Sequence, residues 1–310
     1  MTEITGPEIE EAAGRIAPYV RRTPVLALEP GAFGLRATLV LKLELLQHSG
    51  SFKPRGAFNR ILSAEVPAAG IVAASGGNHG LAVAHAAKRL GHPAEIFVPR
   101  LVSPVKLERL RGYGAHVRVE GANYAEALAA SQKRVAETGA LEVHAYDHPH
   151  VVAGQGTVGR EIEEQAPGLD TVLVAVGGGG LVSGIASWFA GRIRVVGVEP
   201  RLAPSLHHAL EAGGPTQVEV GGIAADSLGA SRVGEIAFAV ARRHVERVVL
   251  VEDEDIRTAQ RALWRELRLA AEPGGATALA ALLSGAVAVR EGERIGVVVC
   301  GGNADLAALA

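Results

Sequence analysis

Lys53 lies in the run Ser49-Gly50-Ser51-Phe52-Lys53-Pro54-Arg55-Gly56-Ala57 and is one of only five lysines in the 310-residue chain. The spacing predicts a helix start, with Ser51 as cap and Lys53 and Pro54 in the first turn, where amides lack intrahelical partners. A cation is disfavoured at that positive helix end. Its pKa would fall, and the neutral amine would be available for imine formation with a carbonyl. An ordinary surface lysine at a turn fits the same residues.

Three further clusters follow apolar runs. Ala74-Ser75-Gly76-Gly77-Asn78-His79-Gly80 follows Ile71–Ala74, and its glycines let main-chain amides approach an anion at a helix start. Asn78 adds a neutral donor suited to a phenolate-like oxygen. A tight turn without a ligand is the bland alternative, and a lone loop histidine such as His79 usually satisfies local hydrogen bonds. Val176-Gly177-Gly178-Gly179-Gly180-Leu181 carries four successive glycines, which weaken a fold unless their backbone freedom is used. An amide cradle for phosphate uses it. A dinucleotide site is excluded by spacing: its G-x-G-x-x-G frame ending at Gly184 would need glycine at 181, which is Leu181. The last cluster, Val299-Cys300-Gly301-Gly302-Asn303, puts a thiol where α/β ligands bind. A buried inert cysteine is the commoner state.

The elements that must position these clusters alternate between strand and helix. Leu39–Leu43, Ile71–Ala74, Ala94–Val98, Ala115–Val119, Val143–Tyr146, Thr171–Val176, Ile193–Val198, Val248–Val251 and Ile295–Val299 read as strands. Most are continuous apolar runs, as for strands covered on both faces. Leu81–Leu90, Tyr124–Glu137 and Asp255–Leu269 show helical spacing. The expected class is therefore α/β with two open, mainly parallel twisted sheets flanked by helices. The Tyr146–Gly156 stretch is the expected crossing between them.

Composition closes off other classes. With 48% hydrophobic and 21% charged residues the chain is a folded globular one, and a net charge of -2 argues against nucleic-acid or membrane-surface partners. The single Cys300 excludes an intrachain disulfide. Met1–Thr5 leads into an acidic, helix-like stretch rather than a basic and then apolar one, so a cytoplasmic protein is expected.

In order, Ser-Gly-Ser-Phe-Lys-x-Arg-Gly-Ala, Ser-x-Gly-Asn-His, Gly-Gly-Gly-Gly-Leu and Cys-Gly-Gly-Asn resemble the motifs of threonine/serine dehydratases, which are fold-type II pyridoxal-phosphate enzymes. The likeness runs from Thr23-Pro24 to Asp305 and takes in Val152–Thr157 and Glu272–Ala276. It implies that Lys53 binds pyridoxal 5′-phosphate as a Schiff base, beside Phe52. Asn78 would meet the ring's 3′-oxygen, Gly177, Gly178, Gly179, Gly180 and Leu181 would hold the phosphate, and Cys300 would face the pyridine nitrogen. Ser75, Gly77, Asn78 and His79 would receive the substrate carboxylate. A small domain, 70–147, would be inserted in a larger one made of 1–69 plus 148–310. The implied reaction is β-elimination of L-threonine, and of L-serine, to a 2-oxo acid and ammonia, by a homodimer or homotetramer.

Two departures bear on that expectation. Serine racemases of this type carry a serine as the acid on the opposite ring face, where this chain has Gly76, so racemisation ranks second. Some members bind a divalent cation through a glutamate, a carbonyl and an aspartate. Glu199 and Ala203 match, but Ser205 replaces the aspartate, which weakens the site.

Overall fold

The computed structural model describes residues 4–100, 102 and 104–305; residues 1–3 and 306–310, at the ends of the expected larger domain, lie outside the described residues. Among the described residues the strands form two sheets. In the first, β1 (Val25–Ala27), β2 (Thr38–Lys42), β7 (Thr171–Ala175), β8 (Arg194–Pro200), β9 (Arg247–Val251) and β10 (Arg294–Val298) run in the order β1-β2-β10-β7-β8-β9. Only β1 is antiparallel to its neighbour. The second sheet is wholly parallel, with β3 (Ile71–Ala74), β4 (Ala94–Val98), β5 (His116–Val119) and β6 (Leu141–Glu142) in the order β5-β4-β3-β6. Every residue of β3 and β7 is buried, as strands sandwiched between helices must be. The larger core packs around the six-stranded sheet and a second one around the four-stranded sheet. This is the α/β architecture with parallel sheets and flanking helices that the alternation predicts.

Two local expectations are corrected. The strand read at Val143–Tyr146 lies earlier, at Leu141–Glu142. Val143 N still reaches Val72 O at 3.0 Å, but His144 Nδ1 then accepts from the amides of Tyr146 (3.2 Å) and Asp147 (2.8 Å). An imidazole holding two successive amides bends the chain off the sheet. Second, Ser51 does not cap the Lys53–Leu62 helix; Phe52 holds that position. Ser51 is extended (φ -160°) and bridges Gly301, flanked by Phe52 N to Cys300 O (3.2 Å) and Gly302 N to Gly50 O (2.9 Å). Backbone pairing, not side-chain capping, sets this helix entry and joins the first cluster to the last.

Candidate active site

Every cluster ends at one cleft between the sheets. Its walls include Phe52, Lys53, Asn78, Tyr146, Gln155 and Cys300, together with the tetraglycine turn and Glu272.

Lys53 begins the Lys53–Leu62 helix, and its Nζ donates to Ala145 O at 2.8 Å and lies 5.3 Å from the Phe52 ring centroid. Burial lowers its pKa to about 8, against the opposing pull of Cys300 and Glu272. An appreciable share of neutral amine therefore exists at physiological pH. Two residues on, Arg55 is fully buried and donates to Glu44 (Nε to Oε2, 2.8 Å) and Glu161 (Nη1 to Oε1, 2.7 Å). Lys42 Nζ reaches the same Glu161 at 2.5 Å. The balanced set of two cations and two carboxylates ties the Lys53 helix to β2 and to the Pro149–Gln165 helix.

The tetraglycine turn leads into the Gly180–Phe189 helix, with Gly179 left-handed (φ 89°) at its cap. Its first intrahelical bond is Ser183 N to Gly179 O (3.0 Å), so the amides of Gly180, Leu181 and Val182 precede it. Side chains are excluded here by packing. A Cβ at Gly178 would stand 2.2 Å from the Tyr146 ring, and one at Gly177 would stand 2.9 Å from Leu228 backbone. Unpartnered amides at a helix start, with backbone-tight walls, suit a phosphate. Gln155, 1% exposed and lining the same cleft, has an Oε1 without a partner among the described residues, a polar atom that a polar ligand could engage. These residues fit pyridoxal phosphate.

The Ser75 cluster opens the Asn78–Leu90 helix; Ser75 Oγ accepts from Gly77 N (3.1 Å), and the amides of Asn78, His79 and Gly80 precede the bond from Leu81 N to Gly77 O. The His79 ring turns away from the cleft. It is buried with Nε2 2.8 Å from Val143 O, and burial and then the Lys53 charge lower its pKa to about 3, which keeps it neutral. Any contact of His79 with a substrate carboxylate would therefore run through its main chain. Cys300 is buried with Sγ 3.3 Å from Gly274 O, and burial pushes its pKa far up, so it is a thiol.

Glu199, Ala203 and Ser205 come together behind the turn rather than in the cleft. Glu199 accepts from the amides of Leu206 and His207 (2.8 Å each), and Ser205 Oγ lies 2.9 Å from Gly177 O and 3.3 Å from Glu199 Oε1. Ala203 is buried beside them. Both carboxylate oxygens serve a helix start, and Ser205 supports the tetraglycine carbonyl. Among the described residues no group of three or more His, Cys, Asp and Glu side chains is arranged for a metal.

Sequence reasoning missed Glu272 as a site residue. It sits before Pro273 as the cap of the Pro273–Leu283 helix, and its Oε1 accepts from Asn78 Nδ2 at 2.5 Å. Burial pushes its carboxyl up to about 7, opposed mainly by the Asn78 bond. A Cβ at Gly301 would stand 1.9 Å from Glu272 Oε1, so that glycine is there to admit the carboxylate. The signal was a lone acidic residue inside the Glu-Pro-Gly-Gly-Ala match. Tyr146 and Gln155 were also unassigned, because nothing local in sequence shows what they cover.

Known proteins resemble this chain over nearly its whole length. The chain is 40% identical to a phenylserine dehydratase of Ralstonia pickettii over 99% of its length and 96% of the relative's. It is 40% identical to an L-threonine ammonia-lyase of Geobacter sulfurreducens, covering 96% of this chain and 75% of that one. The solved structure of maize serine racemase superposes with a TM-score of 0.94 at 37% identity, over 99% of this chain and 96% of that chain. Among the described residues no helix is long and apolar enough to cross a membrane. The profile of the family described as pyridoxal-phosphate dependent enzyme matches residues 16–301, and a chain with this fold and this lysine–tetraglycine cleft belongs to that family.

Proposed function

We propose that this protein is a threonine/serine ammonia-lyase, eliminating water and then ammonia from a small 3-hydroxy amino acid to leave a 2-oxo acid. The observation that carries the reading is Lys53, the one amine on the cleft wall among the described residues, with its lowered pKa. In this reading Lys53 holds the cofactor aldehyde, and the amides of Gly177 to Leu181 hold its phosphate. Asn78 would meet the 3′-oxygen, and Phe52 and Cys300 would line the ring. When bound, pyridoxal phosphate supplies the conjugated ring that delocalises the electron pair left at the substrate Cα.

The chain's own groups do the rest. Amides at the start of the Asn78–Leu90 helix orient the substrate carboxylate, with Ser75, Gly77, Asn78 and the His79 backbone forming that loop. Lys53 Nζ, as a neutral amine, would accept the Cα proton. The Cys300 thiol is neutral and, beside the pyridine nitrogen, would not hold it protonated as a carboxylate would, so the ring would supply a weaker electron sink suited to loss of the β-hydroxyl rather than to transamination. Gly76 offers no acid for a second face, which supports elimination over racemisation. The reading also takes the four-stranded sheet as a small domain (70–147), and the protein as a homo-oligomer.

The test is release of 2-oxo acid from L-threonine, L-serine, their D-isomers and phenylserine, with chiral analysis of the remaining substrate. Turnover of L-threonine or L-serine, lost after borohydride treatment and in Lys53→Ala, is expected. Full turnover in Lys53→Ala would overturn the proposal, and racemised serine without 2-oxo acid would favour the racemase alternative.

A further inference from the structure

Four polar side chains run unbroken from the cleft to its rim. Asn78 Nδ2 donates to Glu272 Oε1 (2.5 Å), Asn303 Nδ2 donates to Asn78 Oδ1 (2.6 Å), and Arg109 Nη2 donates to Asn303 Oδ1. The direction of the chain follows from donor and acceptor chemistry. A guanidinium has only donors, so it faces the Asn303 oxygen; the Ser49 carbonyl only accepts, so it takes the Asn303 nitrogen (2.9 Å). With Asn303 held that way, its nitrogen meets the Asn78 oxygen, and the Asn78 NH2 is turned to Glu272 and the cleft.

The members alternate between the two halves of the molecule. Asn78 follows β3, and Arg109 lies on the Pro104–Gly112 helix after β4, both beside the four-stranded sheet. Glu272 and Asn303 flank β10 of the six-stranded sheet. The Pro104–Gly112 helix makes a second contact across the same rim, from Lys106 Nζ to Asp226. Space around Asn303 is tight, since a Cβ at Gly50 would stand 2.6 Å from its Oδ1. Arg109 itself is exposed and does not line the cleft.

We propose that Arg109 is a positioning residue which, by pinning Asn303, couples the seating of the Pro104–Gly112 helix to the orientation of the Asn78 amide. The inference rests on the reading of Asn78 as the group that meets the cofactor's 3′-oxygen. Without Arg109, Asn303 keeps, among the described residues, its Ser49 and Asn78 bonds. The Asn303 oxygen is then unheld, so the nitrogen that donates to Asn78 Oδ1 is fixed less rigidly and the Asn78 NH2 faces the cofactor oxygen for less of the time.

The experiment is a double-mutant cycle of Arg109→Ala and Asn303→Ala on the holoenzyme. It reads the pH midpoint of the bound cofactor's visible band and its dissociation constant. Arg109→Ala is expected to weaken cofactor binding about three- to tenfold, the range for one lost hydrogen bond, and to move the midpoint. In the Asn303→Ala background it should do nothing further. A simple charge effect of Arg109 would persist in that background and would overturn the inference, as would an unmoved midpoint and affinity in Arg109→Ala. A wild type with no Lys53-dependent band would overturn the functional reading and this inference together, whereas a normal band indifferent to Arg109 would overturn the inference alone.

Discussion

Asn78 Nδ2 and Glu272 Oε1 meet at 2.5 Å although 194 positions separate them in the chain. The contact joins a helix start beside the four-stranded sheet to a helix cap beside the six-stranded one, at the wall of the cleft. It sets a neutral amide, rather than a cation, against a carboxyl that burial makes reluctant to ionise.

That reluctance has a sign. Glu272 is pushed up to about 7 in the folded protein from an ordinary 4.5, by burial first and then by Asp226, while Asn78, Arg109 and Lys106 pull it down. Folding therefore takes up a proton between those values, and the contribution of this group turns less favourable as pH rises from 4.5 through 7. Glu272→Gln should gain on the wild type by up to about 3 kcal/mol at pH 8, with the gap closing toward pH 4.5. Urea unfolding of the cofactor-free protein across that range measures it. A gap that does not change with pH would contradict the shifted carboxyl.

Lys53 titrates in the other sense. Burial lowers its pKa to about 8 from 10.5, so neutral amine accumulates two to three pH units earlier than on an ordinary lysine. Borohydride trapping of pyridoxal phosphate on the cofactor-free protein, read by mass, should label Lys53 with a half-maximal pH near 8, and Lys53→Ala should remove that label. A half-maximal pH near 10 would place the amine in a solvent-like setting.

The strands were legible where apolar residues run without a break, as at Ile71–Ala74, Ala94–Val98 and Thr171–Ala175. β1 escaped because Val25–Ala27 is three residues long and lies at a sheet edge. Val143–Tyr146 misled because its alternation looks like a strand, while the imidazole of His144 captures the amides that a ladder would need. The glycine clusters showed themselves through composition, since glycine runs imply close backbone approach. Glu272, Tyr146 and Arg109 did not, because each is defined by a partner far along the chain: Asn78, the tetraglycine turn and Asn303. No local spacing encodes such a pairing.

Arg55 tests what holds the Lys53–Leu62 helix in place. Its guanidinium is 0% exposed and reaches both oxygens of Glu44 and of Glu161. Arg55→Ala leaves two buried carboxylates with Lys42 as their remaining cation, a change that costs about 3–5 kcal/mol when a buried pair is broken. Arg55→Lys should recover only part of the loss, because an ammonium cannot make the paired planar contacts. Denaturant midpoints of the two variants decide it; a loss within 1 kcal/mol in Arg55→Ala would show the cluster to be dispensable.

On the proposed reading, Gly76 is the position that would separate elimination from racemisation. Proton exchange on both faces of Cα needs an acid opposite Lys53, and the loop position where the family resemblance implies a serine in racemases is here a glycine. A Cβ at Gly76 would lie 3.0 Å from Val102 Cγ2 and 3.7 Å from Val98 Cγ1, so a small side chain fits if the Val102 methyl yields slightly. Gly76→Ser is therefore expected to fold, keep elimination and acquire slow conversion of L-serine to D-serine. In deuterium oxide the D-isomer should carry deuterium at Cα. Gly76→Ala adds the same Cβ without the hydroxyl, so it should share any packing penalty and show no D-serine. If chiral chromatography finds D-serine in neither variant, position 76 does not supply the second proton; if it finds D-serine in both, altered loop packing rather than the hydroxyl is responsible.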